Sequence, residues 1–252
     1  MGDAAAQKVF NSGDKIGVSA DTQAAVTYTS DGTTWTPAEN TYLRWEQETM
    51  SFSAYYPVTT GTDTQNFTLP ATQSTVDSIA AADYMTTVSV SKNKSEGNIS
   101  LELSRKTARV IVKIVGFNDQ YADTLKYVSA VSLVTYATAY QGGHVLTEAT
   151  PTPITPYCGN ETPVKGGCGA GTTFTALVLP DAAHSDKEFI ALTDGTGKSL
   201  TVKGIPAHEA GKSYTYNVTV GKDQVQITGV TVADWQTGEP IAGDAETDPT
   251  LP

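Results

Sequence analysis

The sequence predicts an all-β protein built as two β-sandwich domains. Short apolar runs with period-two alternation recur along the whole of its 252 residues, which is the pattern of half-buried strands. Turn-forming clusters separate them at Ser30-Asp31-Gly32, Thr60-Gly61-Thr62-Asp63, Glu96-Gly97-Asn98 and Asp194-Gly195-Thr196-Gly197, as expected of chains that reverse direction often. The length suits two domains of average size, and the strand runs divide into two groups of similar number.

In chain order the expected strands are Lys15–Ala20, Ala25–Thr29, Tyr42–Trp45, Ser51–Tyr56, Met85–Ser91, Ile99–Leu103 and Ala108–Val115. Val128–Thr135, Thr173–Leu179, Phe189–Thr193 and Ser199–Lys203 follow, and a terminal hairpin completes the set. Helix signals are confined to the short stretches Val76–Ala82 and Tyr121–Val128. We place the N-terminal domain over residues 1–107, the C-terminal domain over 108–240 and a tail over 241–252. Periodicity alone leaves open whether Ala108–Val115 ends the first sandwich or begins the second.

The hairpin carries the clearest pattern. Tyr214, Tyr216, Val218 and Val220 alternate with Ser213, Thr215, Asn217 and Thr219, so the first set should face a core. After the Gly221-Lys222-Asp223 turn, Val225 and Ile227 continue the alternation. Beyond Gly229 the apolar phase slips by one, to Val230 and Val232. A slip would turn the wrong face outward unless an extra residue is absorbed, so a β-bulge is expected at Gly229.

Composition narrows the function. Apolar residues make up 39% and charged residues 17%, enough for a packed core and too little charge for a disordered polyelectrolyte. A net charge of −11 argues against nucleic acid, whose phosphates require clustered Lys and Arg. No run approaches the roughly 20 apolar residues that span a bilayer, and no basic-then-apolar leader pattern is expected at the start of this sequence.

Reactive constellations are sparse. Gly197-Lys198-Ser199 and Gly211-Lys212-Ser213 end like phosphate-binding loops, but the earlier glycine that such a loop needs is replaced by Leu192 and Pro206, and strands follow in place of helices. His144, His184 and His208 lack helical zinc spacing and read as solvent-facing loop residues. No catalytic residue, cofactor site or metal site is expected, and the chain does not read as an enzyme. Trp35, Tyr140 and Tyr157, in or beside turn-rich segments, are the candidate ligand-contacting aromatics.

Four segments, taken together, resemble a known family. They are Phe10-x-x-Gly13-Asp14-Lys15-Ile16-Gly17-Val18, then Phe52-Ser53-Ala54-Tyr55-Tyr56-Pro57, then Asp83-Tyr84-Met85 with Leu101 to Val110, and finally Gly211 to Val220 closed by Ala233-Asp234-Trp235. In this order they are similar to the fimbrillin-like proteins of Bacteroides-type bacteria. The usual histidine of the third motif is replaced here by Ser104 or Arg105. The resemblance implies two transthyretin-like β-sandwiches and export as a lipoprotein. It implies assembly into an outer-membrane-associated fimbria at the cell surface, with other fimbrial subunits as partners by strand addition. A host protein or a glycan is the partner in the rival reading, a tip adhesin.

The resemblance also bears on the cysteines and the chain ends. Cys158 and Cys168 lie in Pro151–Gly171, a segment with four prolines and five glycines, expected to be a long loop. In an exported protein such a pair reads as a disulfide, either a plain loop staple or a brace for a contact surface. The family's removable N-terminal strand would precede Phe10, and Gly2–Lys8 is too short to replace it. The tail beyond Trp235 holds three prolines and four acidic residues and is expected to make a poor donor strand, so the chain should accept a strand better than it donates one.

Overall fold

A computed structural model describes residues 10–39, 41–159 and 161–235 and the backbone of 241–244. The first strands are β1 (Lys15–Ala20), β2 (Val26–Ser30), β3 (Trp35–Pro37), β4 (Thr49–Tyr56) and β5 (Phe67–Thr68). The short helix α1 (Val76–Ala80) precedes β6 (Met85–Thr86), β7 (Val90–Asn93), β8 (Asn98–Leu101), β9 (Ser104–Arg105) and β10 (Ala108–Phe117). Then come β11 (Val128–Gln141), β12 (His144–Ile154), β13 (Tyr157–Gly159), β14 (Pro163–Val164), β15 (Gly167–Cys168) and β16 (Thr173–Val178). The series ends with β17 (His184–Asp194), β18 (Ser199–Ile205), β19 (Lys212–Val220), β20 (Val225–Asp234) and β21 (Ile241–Asp244).

Buried apolar side chains fall into two clusters. The first is built on a sheet in the order β3-β2-β1-β4-β6-β9, with β7 also on β4. Alternation in β4 sends Met50, Phe52, Ala54 and Tyr56 inward, against Ile16 and Val18 of β1 and Leu101 and Leu103 from beyond the sheet. Gly17 lies beneath the Tyr55 ring, where a Cβ would meet ring carbons at 2.3 Å, so this close approach requires glycine.

The second cluster fills a two-sheet sandwich. One sheet runs β13-β16-β10-β19-β20 and the other β14-β15-β11-β17-β18, with β12 and β5 also paired to β11. The inward residues include Val110, Val112 and Ile114 of β10, Leu133 of β11, Phe189 and Ile190 of β17, and Tyr214, Tyr216, Val218 and Val220 of β19. The last four are the set that the hairpin alternation sends inward. The bulge is present as well: Asn217 pairs with Gly229 and Val218 with Ile227, so Thr228 is the residue absorbed. Among the described residues every strand pair is antiparallel except β10 with β19, which the chain joins by passing through the opposite sheet.

The path from β4 to β6 leaves the first cluster altogether. Phe67 and Thr68 pair with Tyr140 and Ala139 of β11, and Phe67, Leu69, Ile79, Ala82 and Tyr84 are buried in the second cluster. The buried Gln73 side chain acts as an extra backbone unit here. It accepts from the Leu177 N–H at 2.7 Å and donates to the Leu177 carbonyl at 2.9 Å. α1 is started by Thr75, whose hydroxyl accepts from the Ser78 N–H, and it contributes buried Ile79 to the core.

Several expectations are corrected. Tyr42–Trp45 forms no strand, because the Gln23 side chain takes both backbone groups of Arg44 that a neighbouring strand would pair. Met85–Ser91 is two short strands, β6 and β7, rather than one. Tyr121–Val128 holds only a single 3₁₀ turn at Asp123–Leu125 before β11 begins. Pro151–Gly171 is not a loop: its first four residues end β12 and it contains β13, β14 and β15. Pro151 and Pro153 are accommodated because β12 pairs with β11 alone, so a missing N–H can face away from the sheet.

Candidate functional site

Two of the four motifs that carry the family resemblance, the third and the fourth, converge where the chain passes between the two clusters. Tyr84 belongs to the second cluster and Met85 to the first, so Asp83 and Tyr84 mark the crossing. The Arg105 guanidinium, on β9 opposite Met85, donates to both carboxylate oxygens of Asp83, from Nε at 3.0 Å and from Nη2 at 3.1 Å. Both side chains are fully buried. Burial pushes the Asp83 carboxyl above the usual range, and the Arg105 charge opposes that shift. A forked pair is the arrangement that makes a buried charge tolerable.

Trp235, the residue that closes β20, lies against this pair. The Arg105 Cζ is 4.1 Å from its ring centroid and the Arg109 Cζ is 5.1 Å away, so the indole meets two cations by cation–π attraction. Arg109 also donates from Nε to Ser213 Oγ at 2.9 Å, and the backbone N–H of Trp235 donates to the Gly211 carbonyl at 2.8 Å. Asp83, Arg105, Arg109 and Trp235 therefore tie together segments that lie far apart in sequence. The cluster holds no nucleophile with a neighbouring base, and its one acid is committed to Arg105. Its chemistry is that of a clamp.

Sequence reasoning singled out each of these motifs without joining them. The available signal was a charged residue at 83, just before the expected strand Met85–Ser91, and another at 105, between Ile99–Leu103 and Ala108–Val115. The tail strand left no comparable signal. Ile241–Asp244 pairs antiparallel with β8, with Ile241 opposite Leu101 and Asp244 opposite Asn98, and β8 has no other strand partner among the described residues. A proline-poor stretch of four residues within a proline-rich tail is enough for this pairing. The calls on residues 1–9, 236–240 and 245–252 lie outside the described residues.

Cys158 is on β13 and Cys168 on β15, with their sulfurs 3.9 Å apart as free thiols. Burial pushes the Cys158 thiol up to about 12, and burial raises the Cys168 thiol too. The three candidate aromatics are not brought onto one surface as a group. Trp35 is edge-on to Phe10 in the first cluster, while Tyr140 packs on Tyr84 and Tyr157 against the second cluster.

Of the histidines, His144 is exposed as the first residue of β12, and His184 lies 3.0 Å from Asp181. His208 corrects the solvent-facing expectation. It is buried among Phe189, Tyr214 and Tyr216, and its Nε2 is 3.2 Å from the Tyr216 hydroxyl. Burial lowers its pKa to about 4. Lys198, in the turn between β17 and β18, is paired with Asp223 at 3.1 Å, and Lys212 opens β19, paired with Asp234 at 2.6 Å. Among the described residues no group of three or more His, Cys, Asp or Glu could hold a metal ion, and no helix is long and apolar enough to cross a membrane.

A family model described as fimbrillin-like matches residues 4–235. No curated protein matches the chain. Among solved structures, a candidate cell adhesion protein from Bacteroides uniformis is similar at a TM-score of 0.69 and 21% identity, over 91% of this chain and 94% of that one. A candidate cell adhesion protein from Bacteroides ovatus is similar at a TM-score of 0.65 and 16% identity, over 90% of this chain and 89% of that one. At these identities the likeness is one of fold.

Proposed function

The chain belongs to the fimbrillin-like family, and on that premise we propose that it is a structural or accessory subunit of a cell-surface fimbria, without catalytic activity. Its partners are other fimbrial subunits, joined by strand exchange, and its place is outside the outer membrane after export as a lipoprotein. The observation that carries the reading is the pairing of β21 with β8. Backbone pairing of an added strand along an open edge is the general basis of strand addition, and this pairing within the chain supports β8 as such an edge. The division into domains 1–107 and 108–240 with a tail is part of the same proposal. The two buried clusters support it, with residues 67–84 of the first half lodged on the second.

The rival reading, a tip adhesin for a host protein or glycan, finds less support, because Trp35, Tyr140 and Tyr157 are each packed against a core. The decisive experiment compares two variants for incorporation into fimbriae, with folding checked by thermal melting. Deleting Gln236–Pro252 should leave incorporation intact, because β8 remains free to accept a neighbour's strand. Ser100→Pro, which removes a backbone donor from the middle of β8, should lower incorporation at least about tenfold. Loss of incorporation in the tail deletion would make the tail the donor and overturn the accepting role.

A further inference from the structure

We propose that Cys158 and Cys168 form a disulfide that braces the two sheets of the second sandwich against each other. Cys158 lies opposite Phe174 of β16, in the five-stranded sheet. Cys168 lies opposite Val128 of β11, in the facing sheet. The two sheets share no backbone ladder, yet these sulfurs are in van der Waals contact at 3.9 Å. Side-chain rotation over a short distance separates that contact from a bond of about 2.05 Å.

The intervening backbone is built to keep the pair together. The β14–β15 hairpin turns at Gly166, whose φ of 105° is reserved for glycine. Next to it, a Cβ on Gly167 would fall 2.2 Å from the Val128 carbonyl oxygen, so only glycine lets β15 approach β11 this closely. The Gly169 N–H donates to the Thr162 carbonyl at 2.8 Å, and the Thr162 N–H donates to Thr172 Oγ1 at 3.0 Å. Thr173 Oγ1 donates to the Gly159 carbonyl at 2.7 Å. Both ends of the segment are thereby held at the five-stranded sheet, while β15 at its middle pairs with β11 of the facing sheet.

The oxidant is an external disulfide, either oxidised glutathione or the disulfide of a thiol-exchange protein. The Cys168 thiolate attacks one oxidant sulfur and expels the other as a thiolate. The Cys158 thiolate then attacks the Cys168 sulfur, closing the Cys158–Cys168 bond and expelling the second oxidant sulfur. Two electrons and the two thiol protons pass to the oxidant, which leaves as two thiols. Burial of both cysteines and the Glu161 carboxylate 3.7 Å from Cys168 keep thiolate scarce at neutral pH. Closure therefore depends on a supplied oxidant. The bond requires only an oxidising compartment and is independent of the fimbrial role.

The test uses the purified full chain, reduced, freed of reductant and then exposed to oxidised glutathione before denaturing alkylation. The expected product carries no alkylated cysteine and is lighter than the reduced chain by about 2 Da, the two hydrogens lost. Trypsin cleaves after Lys165, between the cysteines, so a non-reducing map should contain the Cys158 peptide joined to the Cys168 peptide. Two alkylated cysteines, glutathione adducts or a disulfide-linked dimer would each overturn the bridge. Reductant should lower the melting temperature of the oxidised wild type and leave a Cys158→Ser, Cys168→Ser variant unmoved. An oxidised wild type indifferent to reductant would overturn the bracing role.

Discussion

His208 is a neutral base enclosed by aromatic rings, and its burial makes folding sensitive to acid. An exposed histidine titrates near 6.5, whereas burial holds His208 near 4. As the pH falls through this window the unfolded chain takes up a proton that the folded chain refuses, so stability declines. Below about 4 both states are protonated and the decline stops. The difference corresponds to about 3 kcal/mol. Urea unfolding at pH 7 and pH 4 should show the wild type losing about that much more than His208→Phe, and equal losses would mean that another group governs the acid limb. Asp83 and Arg105 make a second test at this scale. Asp83→Asn leaves the guanidinium buried without its countercharge and should cost about 3–5 kcal/mol. Removing both charges in Asp83→Leu, Arg105→Met should recover much of that loss, and a double variant as unstable as the single one would show that the charges themselves are needed.

Elements with one partner surface and regular alternation were legible from residues alone, and those governed by distant pairing were not. β1, β4, β18 and β19 follow their alternation because each has a sheet neighbour on both sides or a core to one face. The bulge in β20 was legible because the phase slip between Val225/Ile227 and Val230/Val232 calls for one absorbed residue, although Val230 and Val232, opposite Tyr216 and Tyr214, stay half exposed. Tyr42–Trp45 has as good an apolar pattern, but Gln23 takes its backbone groups, and a single amide side chain leaves no periodic trace. β12 escaped notice because prolines and exposed threonines hide an edge strand. The clamp was half legible: the charges at 83 and 105 sit beside expected strands, yet nothing local says that Trp235 covers Arg105.

For the whole molecule, the chain joins its two clusters repeatedly. It leaves the first sheet after β4, returns at Asp83, crosses again between β9 and β10, and comes back to β8 with β21. With the clamp seated among these passages, neither half can lose its packing without exposing part of the other. Calorimetry should therefore show one unfolding transition, with calorimetric and van't Hoff enthalpies equal; two resolved transitions would mean that the halves melt separately. The excursion of residues 67–84 has a further consequence under tension. A pull that separates the halves is shared among several covalent tethers, like a seam sewn with more than one thread. A single peptide-bond cut near residue 106 would leave the severed N-terminal piece still anchored by Phe67, Gln73 and Tyr84 in its neighbour's interior.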